Sequence, residues 1–201
     1  MEIKKENLLA VLKTADDNVR KILLGLFPEV KDEQARPVQE RIKTFEDAVR
    51  ELGNKHPFVM AYNELLNTAT REGYLIELIG SDVVSYLKLR IICAALNEGW
   101  EPKFKIGECR WYPWFSLYTK ADLSKKSKEL KTANGLIVLG TRYPSEYYAF
   151  ACAGSSNVPS CTAARIGSRL CLKSETLAKY CGKQFIDIWL DLIMIDLGLP
   201  F

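Results

Sequence analysis

The pattern of hydrophobic residues changes at Trp100, and this change constrains the fold more than any other feature of the sequence. Before Trp100, apolar residues recur every three or four positions, the spacing of amphipathic helices. After it, aromatic residues stand between prolines and short polar runs, which is typical of extended or irregular structure. The sequence therefore predicts an α+β fold, in which an N-terminal helical layer packs with a small irregular antiparallel sheet and a C-terminal helix. We divide the chain into a helical part, residues 1–99, and a β- and loop-rich part, residues 100–201, and expect one cooperative unit.

The helical part predicts about four helices. Its first apolar residues, up to position 26, fit one helix or two short ones broken near residues 15–17. Residues 38–52 predict a single helix, because their apolar side chains recur at spacings of 4, 3, 4 and 3 and Gly53 stands at the C-cap position. The two remaining helices begin at Pro57, a typical first-turn residue, and near Ser81, a typical N-cap residue, and run to about residues 72 and 98.

The second half predicts short strands joined by loops. Residues 100–118 indicate irregular extended structure. Ser174 caps a last helix, although a strand is an alternative after Phe185. The other predicted elements are a solvated lysine-rich loop over 120–131, a buried strand over 136–139, a further strand over 147–153, turns and loop over 154–168, and a closing strand over 169–172.

The charge balance is too even to identify a partner by itself. The chain carries 28 Lys and Arg against 25 Asp and Glu, a net charge of +3. A bias of this size favours neither nucleic acid nor an anionic membrane. Residues 100–183 hold a local basic excess, which keeps nucleic-acid binding open. The charged N-terminus lacks the apolar run of a signal peptide, and no stretch is apolar enough to span a bilayer, so we expect neither export by a signal peptide nor membrane insertion.

The residues that usually hold cofactors do not form recognisable motifs. The chain has six cysteines and a single histidine, His56, and no Cys-x-x-Cys pair, so we expect reduced thiols and no zinc site. The glycines lack the spacing of a phosphate or dinucleotide loop, and no serine lies in a Gly-x-Ser-x-Gly motif. The sequence therefore predicts no metal, no cofactor and no catalytic residue.

Two groups of residues are candidates for ligand binding. The first combines rigid tyrosines with small polar residues, the composition of recognition loops. A plain surface turn is the equally good alternative reading of this group. Its members are Tyr143, Tyr147, Tyr148, Ser155, Ser156, Asn157 and Arg165.

The second group is an aromatic edge formed by Trp111, Tyr112 and Trp114. It belongs to a wider cluster of aromatic residues over 100–118 that is interleaved with Lys103, Lys105 and Arg110. If exposed, such a cluster stacks on bases or sugars. We favour a second hydrophobic core, because a half-buried strand would hide alternate residues of this segment.

Several stretches of the chain are similar to one family of proteins. They are residues 40–48, 86–92, 95–100, 112–115, 167–171 and 180–185. Through them the chain resembles an uncharacterised family encoded by gut Bacteroidales bacteria and their phages or prophages. This resemblance implies a phage-related role and a location in the bacterial host cytoplasm or in the phage virion, and it brings no activity with it.

A narrower similarity concerns residues 136–172. An aromatic and small-polar stretch that ends in Gly167-Ser-Arg-Leu-Cys171 resembles the closing strand of C-type-lectin-like variable domains. Ser168 stands where those domains carry an aromatic residue, and a helix follows where they end. The similarity implies a ligand-binding fold without identifying a ligand.

Three functional hypotheses follow from these observations. The leading one is a non-enzymatic, phage-associated binding or structural protein that recognises a protein or a glycan through loops 140–168. The alternative is a nucleic-acid-binding protein that uses the basic second half, chiefly 120–131, Arg142, Arg165, Arg169 and Lys173. An enzyme built around His56, Cys109 or Tyr147 is the least favoured. The oligomeric state stays open.

Overall fold

The computed structural model describes residues 7–8, 11–12, 15–28, 36–72, 80–103, 105–126, 135–139, 146–158 and 168–194. Within these residues the fold is α+β, with helices and one three-stranded antiparallel sheet, as the sequence predicts. The chain forms two compact units, residues 1–41 and residues 42–201.

The first unit contains helix α1, Asp17–Leu26, and the short helix α2, Val38–Arg41. The predicted break near residues 15–17 is confirmed, because the Asp16 carboxylate caps α1 by accepting hydrogen bonds from the amides of Asn18 and Val19, each 2.9 Å long. A small apolar cluster forms the core of this unit. Its members are Leu8, Leu12, Leu23, Leu24 and Phe27.

The single helix predicted over residues 38–52 is wrong. The helix α2 ends at Arg41, and a new helix, α3, spans Phe45–Leu52. The physical reason is a capping box: the Thr44 hydroxyl accepts a hydrogen bond from the Asp47 amide, and the Asp47 carboxylate accepts one from the Thr44 amide.

The next two helices are confirmed close to their predicted bounds. Helix α4 spans Pro57–Glu72 and helix α5 spans Ser81–Asn97. The second of these is buried over most of its C-terminal half, where Leu89, Ile91 and Ile92 are fully enclosed. It packs against α3, α4 and the C-terminal helix α8, Ile186–Ile193, and so forms the centre of the second unit.

The sheet consists of β1, Arg110–Tyr118, β2, Leu136–Val138, and β3, Ala149–Val158, in the order β1-β3-β2. Strand β3 therefore lies in the centre and pairs antiparallel with both neighbours. The expected turns and loop over 154–168 are wrong for residues 154–158, since these residues pair with Arg110–Trp114. Long-range pairing overrides a local composition that is typical of turns.

Two further expectations for the second half are corrected. Lys120–Lys125 form helix α6 instead of a loop, because the Thr119 hydroxyl caps the Asp122 amide. Residues 168–170 form a 3₁₀ helix instead of a closing strand, and only Leu172 pairs with the sheet, opposite Trp111. Most of the predicted lysine-rich loop, residues 127–131, lies outside the described residues.

The helices after Ser174 cover one face of the sheet, which we call the inner face. The predicted C-terminal helix is confirmed as two pieces, α7, Glu175–Gln184, and α8, separated at Phe185. On this face the ring of Phe115 stacks on Phe150, with 4.8 Å between ring centroids, and lies 5.5 Å from the ring centroid of Trp189. These contacts form the core between the sheet and α8.

No helix in the described part of the chain is long and apolar enough to cross a bilayer. Within the same residues, no group of three or more His, Cys, Asp or Glu side chains is placed to hold a metal ion.

Candidate binding surface

The face of the sheet that points away from α7 and α8, the outer face, unites parts of both predicted residue groups. Side chains alternate between the two faces along a strand, so Tyr112 and Trp114 lie on the face opposite Phe115. The strand register places Ser156 beside Tyr112 and Gly154 beside Trp114. A serine predicted in a loop therefore lies next to the aromatic edge on a neighbouring strand.

Trp114 is the exposed member of the aromatic edge. Its side chain is 54% exposed, although it lies in the middle of a nine-residue strand. The neighbouring Gly154 has no side chain, and a Cβ atom added there would meet nothing within 4 Å. The space beside the indole is thus open, and the hydroxyl-bearing residues Ser116 and Ser156 stand at outer-face positions close to it.

Tyr112, two residues earlier, is buried in a polar environment. Burial raises the pKa of its phenol, the nearby Cys171 thiol adds to this shift, and the Arg110 guanidinium opposes it. The Tyr112 hydroxyl has no hydrogen-bond partner among the residues that the structure describes. Arg110 itself is only 2% exposed. Tyr112 therefore supports the floor of the outer face and does not present its ring to solvent.

The alternate positions of the two strands belong to the other side of the sheet, the side of Pro113. The predicted residues at these positions are Trp111 on β1 and Ser155 and Asn157 on β3. Trp111 is partly buried and bridges to Leu172, while Asn157 is exposed. The described members of the predicted group are therefore split between two faces, and among them Ser156 alone lies beside the aromatic edge at Trp114.

The tyrosines of the first group lie at the opposite end of β3. Tyr148 donates its amide to the Tyr118 carbonyl, 2.7 Å away. At about 3.3 Å per residue, eight strand residues separate Tyr148 from Ser156 by roughly 26 Å. The Tyr147 side chain is 44% exposed at this distant end. The other two predicted members, Tyr143 and Arg165, lie outside the described residues.

Lysines cover two tyrosine rings at this end of the sheet. The Lys120 Nζ atom lies 5.1 Å from the ring centroid of Tyr148, and the Lys126 Nζ atom lies 5.2 Å from that of Tyr118. Both distances suit cation–π contacts. The end of the sheet near Tyr147 is thus basic and aromatic, whereas the described neighbours of Trp114 on β1 and β3 are uncharged.

The wider aromatic cluster divides between core and surface. Phe115 belongs to the core, as the second-core interpretation expects, and Trp114 is exposed, as the stacking-surface interpretation expects. Phe104 lies outside the described residues.

Of the candidate catalytic groups His56, Cys109 and Tyr147, only His56 has a structural role among the described contacts. The His56 Nδ1 atom accepts a hydrogen bond from the Phe58 amide, 3.3 Å away, at the start of α4. The described cysteines are free thiols, and all except Cys109 are buried. A hydrogen bond to Cys181 together with burial raises the pKa of the Cys93 thiol well above its ordinary value, and burial raises the pKa of Cys171 to about 11. Both thiols are thus protonated at neutral pH and are weak nucleophiles.

Sequence reasoning missed two members of this surface, Ser116 and Gly154. Gly154 looked like a turn residue, but a glycine inside a strand also marks a place where another molecule approaches closely.

No known protein family, curated protein or solved structure matches the chain.

Proposed function

We propose that this chain is a non-enzymatic, phage-associated binding or structural protein that recognises a protein or a glycan through the outer face around Trp114. The observation that carries this proposal is the exposed indole beside the open space at Gly154. When a partner covers a large apolar ring in the middle of a strand, the burial of that ring favours binding. Tryptophan is among the residues most enriched at the centres of binding sites.

The chemistry of the surrounding residues fits an uncharged ligand. From Tyr112 to Tyr118 the outer-face positions of β1 carry hydroxyl or aromatic side chains, and Ser156 adds a hydroxyl from β3. An indole face packs against the C–H groups of a sugar ring or against an apolar peptide side chain, while hydroxyls give and accept hydrogen bonds that fix orientation.

The non-enzymatic part of the proposal rests on the state of the reactive side chains. Cys93 and Cys171 are buried and have raised thiol pKa values, and His56 uses one ring nitrogen to cap a helix. The phage association rests on the family resemblance, which also suggests the host cytoplasm or the virion as the location.

The test compares two single variants, Trp114→Ala and Tyr147→Ala. Each removes an exposed aromatic ring, but Trp114 lies in the middle of β1, whereas Tyr147 lies beyond the end of that strand at Tyr118. Tagged wild-type protein and both variants are passed over immobilised glycans and used in pull-downs from a lysate of phage-infected host cells, with and without nuclease.

A partner that survives nuclease, is lost with Trp114→Ala and is kept with Tyr147→Ala supports the proposal. Loss with Tyr147→Ala alone would place the site at the end of the sheet near Tyr147 and contradict the proposal. Recovery of only nuclease-sensitive material would contradict it as well.

Nucleic-acid binding is the second candidate, and one observation favours it. Lys120 and Lys126 stand beside tyrosine rings near the exposed Tyr147, a combination that can hold phosphate and stack a base. Lys173 is less suited to this role, because its Nζ atom pairs with the Glu98 carboxylate at 2.7 Å. A steep fall in affinity with salt that is reduced in a Lys120→Ala variant would support this candidate.

A further inference from the structure

Arg90 places a positive charge on the central helix α5. Its chain neighbours Leu89 and Ile91 are fully enclosed, and the arginine itself is partly buried. A charged group that leaves water without a partner costs free energy, so buried charges are usually paired. A carboxylate beside Arg90 is therefore expected.

The part of the chain that the structure describes supplies no such partner. Within it, no hydrogen bond or ion pair involves the Arg90 guanidinium, and the enclosed Nε atom has no acceptor. The first turn of the neighbouring helix α4 contains no acidic residue. Asp82, the acidic residue of α5, lies about two helical turns before Arg90. The charge of Arg90 is thus not balanced by the described residues.

The ring of Phe58 at the start of α4 holds the guanidinium in place. The Arg90 Cζ atom lies 3.9 Å from the centroid of this ring, a close cation–π contact. An aromatic ring covers one side of the guanidinium plane and leaves the N–H groups in that plane free to donate. Arg90 is therefore oriented without the use of its hydrogen-bond donors.

His56 adds a second donor beside the same ring. The centroids of the His56 and Phe58 rings are 5.0 Å apart, with the planes at 74°. Because the His56 Nδ1 atom accepts a hydrogen bond from the Phe58 amide, the neutral imidazole carries its proton on Nε2. No described residue accepts a hydrogen bond from this Nε2 atom. The described contacts of the Phe58 ring thus include two groups that donate hydrogen bonds.

We propose that Arg90 binds the carboxylate of a ligand, with the two terminal nitrogens of the guanidinium each donating to one carboxylate oxygen. The planar fork of an arginine matches a carboxylate in this way, and the partly buried setting strengthens the ion pair. A phosphate dianion is less suited, since Arg90 is the one cation among the described contacts of the Phe58 ring. This site belongs to the helical layer and goes beyond the sheet surface around Trp114.

The first experiment follows the Nε–Hε resonance of Arg90 by NMR in the full chain, at constant ionic strength. The resonance is assigned by its loss in an Arg90→Lys variant. We expect acetate to shift it in a saturable way, chloride to leave it in place, and inorganic phosphate to bind more weakly than acetate.

The second experiment uses two matched variants, Arg90→Lys and Arg50→Lys. Each replaces one arginine by lysine, but the Arg50 guanidinium already pairs with the Asp47 carboxylate at 3.0 Å. Acetate binding is followed through the amide resonances of Phe58 and Ile91. We expect Arg90→Lys to weaken it at least roughly fivefold, because lysine keeps the charge and loses the fork, and Arg50→Lys to change it by less than about twofold.

A Trp114→Ala variant separates this proposal from the surface proposed above. We expect it to leave acetate binding unchanged, so that either proposal can fail without the other.

Two further probes distinguish the sources of the carboxylate. Tighter binding of a terminally blocked Gly-Glu-Gly peptide than of propionate would assign it to a partner protein, and the reverse order would assign it to a small organic acid. Both results support the proposal.

Three outcomes would overturn the proposal: equal shifts of the Arg90 resonance with acetate and chloride, tighter binding of phosphate than of acetate, and equal weakening of acetate binding by the two lysine variants. The first two come from the wild-type chain, so they decide the question even if Arg90→Lys does not fold.

Discussion

A Cβ atom added to Gly182, on the inner side of the sheet, would lie 2.6 Å from Pro113 Cβ and Cys152 Sγ, whereas one added to Gly154, beside Trp114, would meet nothing within 4 Å. The two glycines thus have opposite surroundings, although both adjoin β1. The close packing at Gly182 contributes to stability, whereas the open space at Gly154 can admit a ligand. Because alternate residues of β1 belong to the two sides, one strand supplies both the core and the proposed site.

The largest expected effect separates the two faces by their aromatic residues. Phe150→Ala on the inner face should lower the free energy of unfolding by about 3–5 kcal/mol, because it leaves a cavity against Phe115. Trp114→Ala on the outer face should cost less, about 1–2 kcal/mol, because only the covered part of a 54% exposed side chain loses its contacts. Urea denaturation of both variants measures the difference, and a similar loss in each would mean that Trp114 belongs to the core.

The glycine comparison should give the next largest effect. Gly182→Ala should destabilise the protein by about 1–3 kcal/mol through overpacking against Pro113, even though alanine favours the helix that contains it. Gly154→Ala should stay within about 0.5 kcal/mol of the wild type. Equal thermal shifts for the two variants would contradict the difference in packing.

The smallest effect concerns Tyr180 on α7, the helix that covers the inner face. Its hydroxyl donates to the Ile42 carbonyl at 2.7 Å, and Tyr180→Phe should cost about 1 kcal/mol at neutral pH.

Alkaline pH sharpens the test of Tyr180. Burial raises the pKa of this tyrosine from 10.0 to about 12. The unfolded chain therefore loses the proton first, so this contribution to stability is complete below pH 10 and disappears as the pH rises through 12. Unfolding measured at pH 8 and at pH 11 should show a smaller loss of stability in the Phe variant than in the wild type. An equal loss would assign the dependence to other groups, such as Cys171.

The helices that the sequence predicts well are those whose ends have local chemical signals. Pro57 begins α4 as predicted. Helix α5 begins within one residue of its predicted start, but Ser81 is its first residue and not its N-cap, which is Gly80 and makes no side-chain cap hydrogen bond. Two of the misassigned segments contain a signal that hydrophobic periodicity does not detect, a threonine that caps a helix. Thr44 forms a capping box with Asp47 and divides a regular apolar pattern. The Thr119 hydroxyl accepts a hydrogen bond from the Asp122 amide and begins a helix in a lysine-rich segment.

The candidate surface could be predicted only in part, because it depends on which strands pair. Composition proposed Trp114 and Ser156 as candidate binding residues, but it grouped Ser156 with Tyr147 and kept Trp114 in a separate group. The pairing of β1 with β3 brings Ser156 to Trp114 and takes Tyr147 to the far end of the sheet. Register is set by contacts between residues 31 to 48 positions apart, which no local pattern contains.

Asn97, in the last turn of α5, holds the chain on both sides of Leu172. Its Nδ2 atom donates to the Cys171 carbonyl at 2.9 Å, and its Oδ1 atom accepts from the Lys173 amide at 3.0 Å. The residue that pairs with Trp111 on the edge strand β1 is therefore positioned by a helix and not by the sheet. The last turn of α5 thus acts as a clamp that fixes where the chain meets this strand.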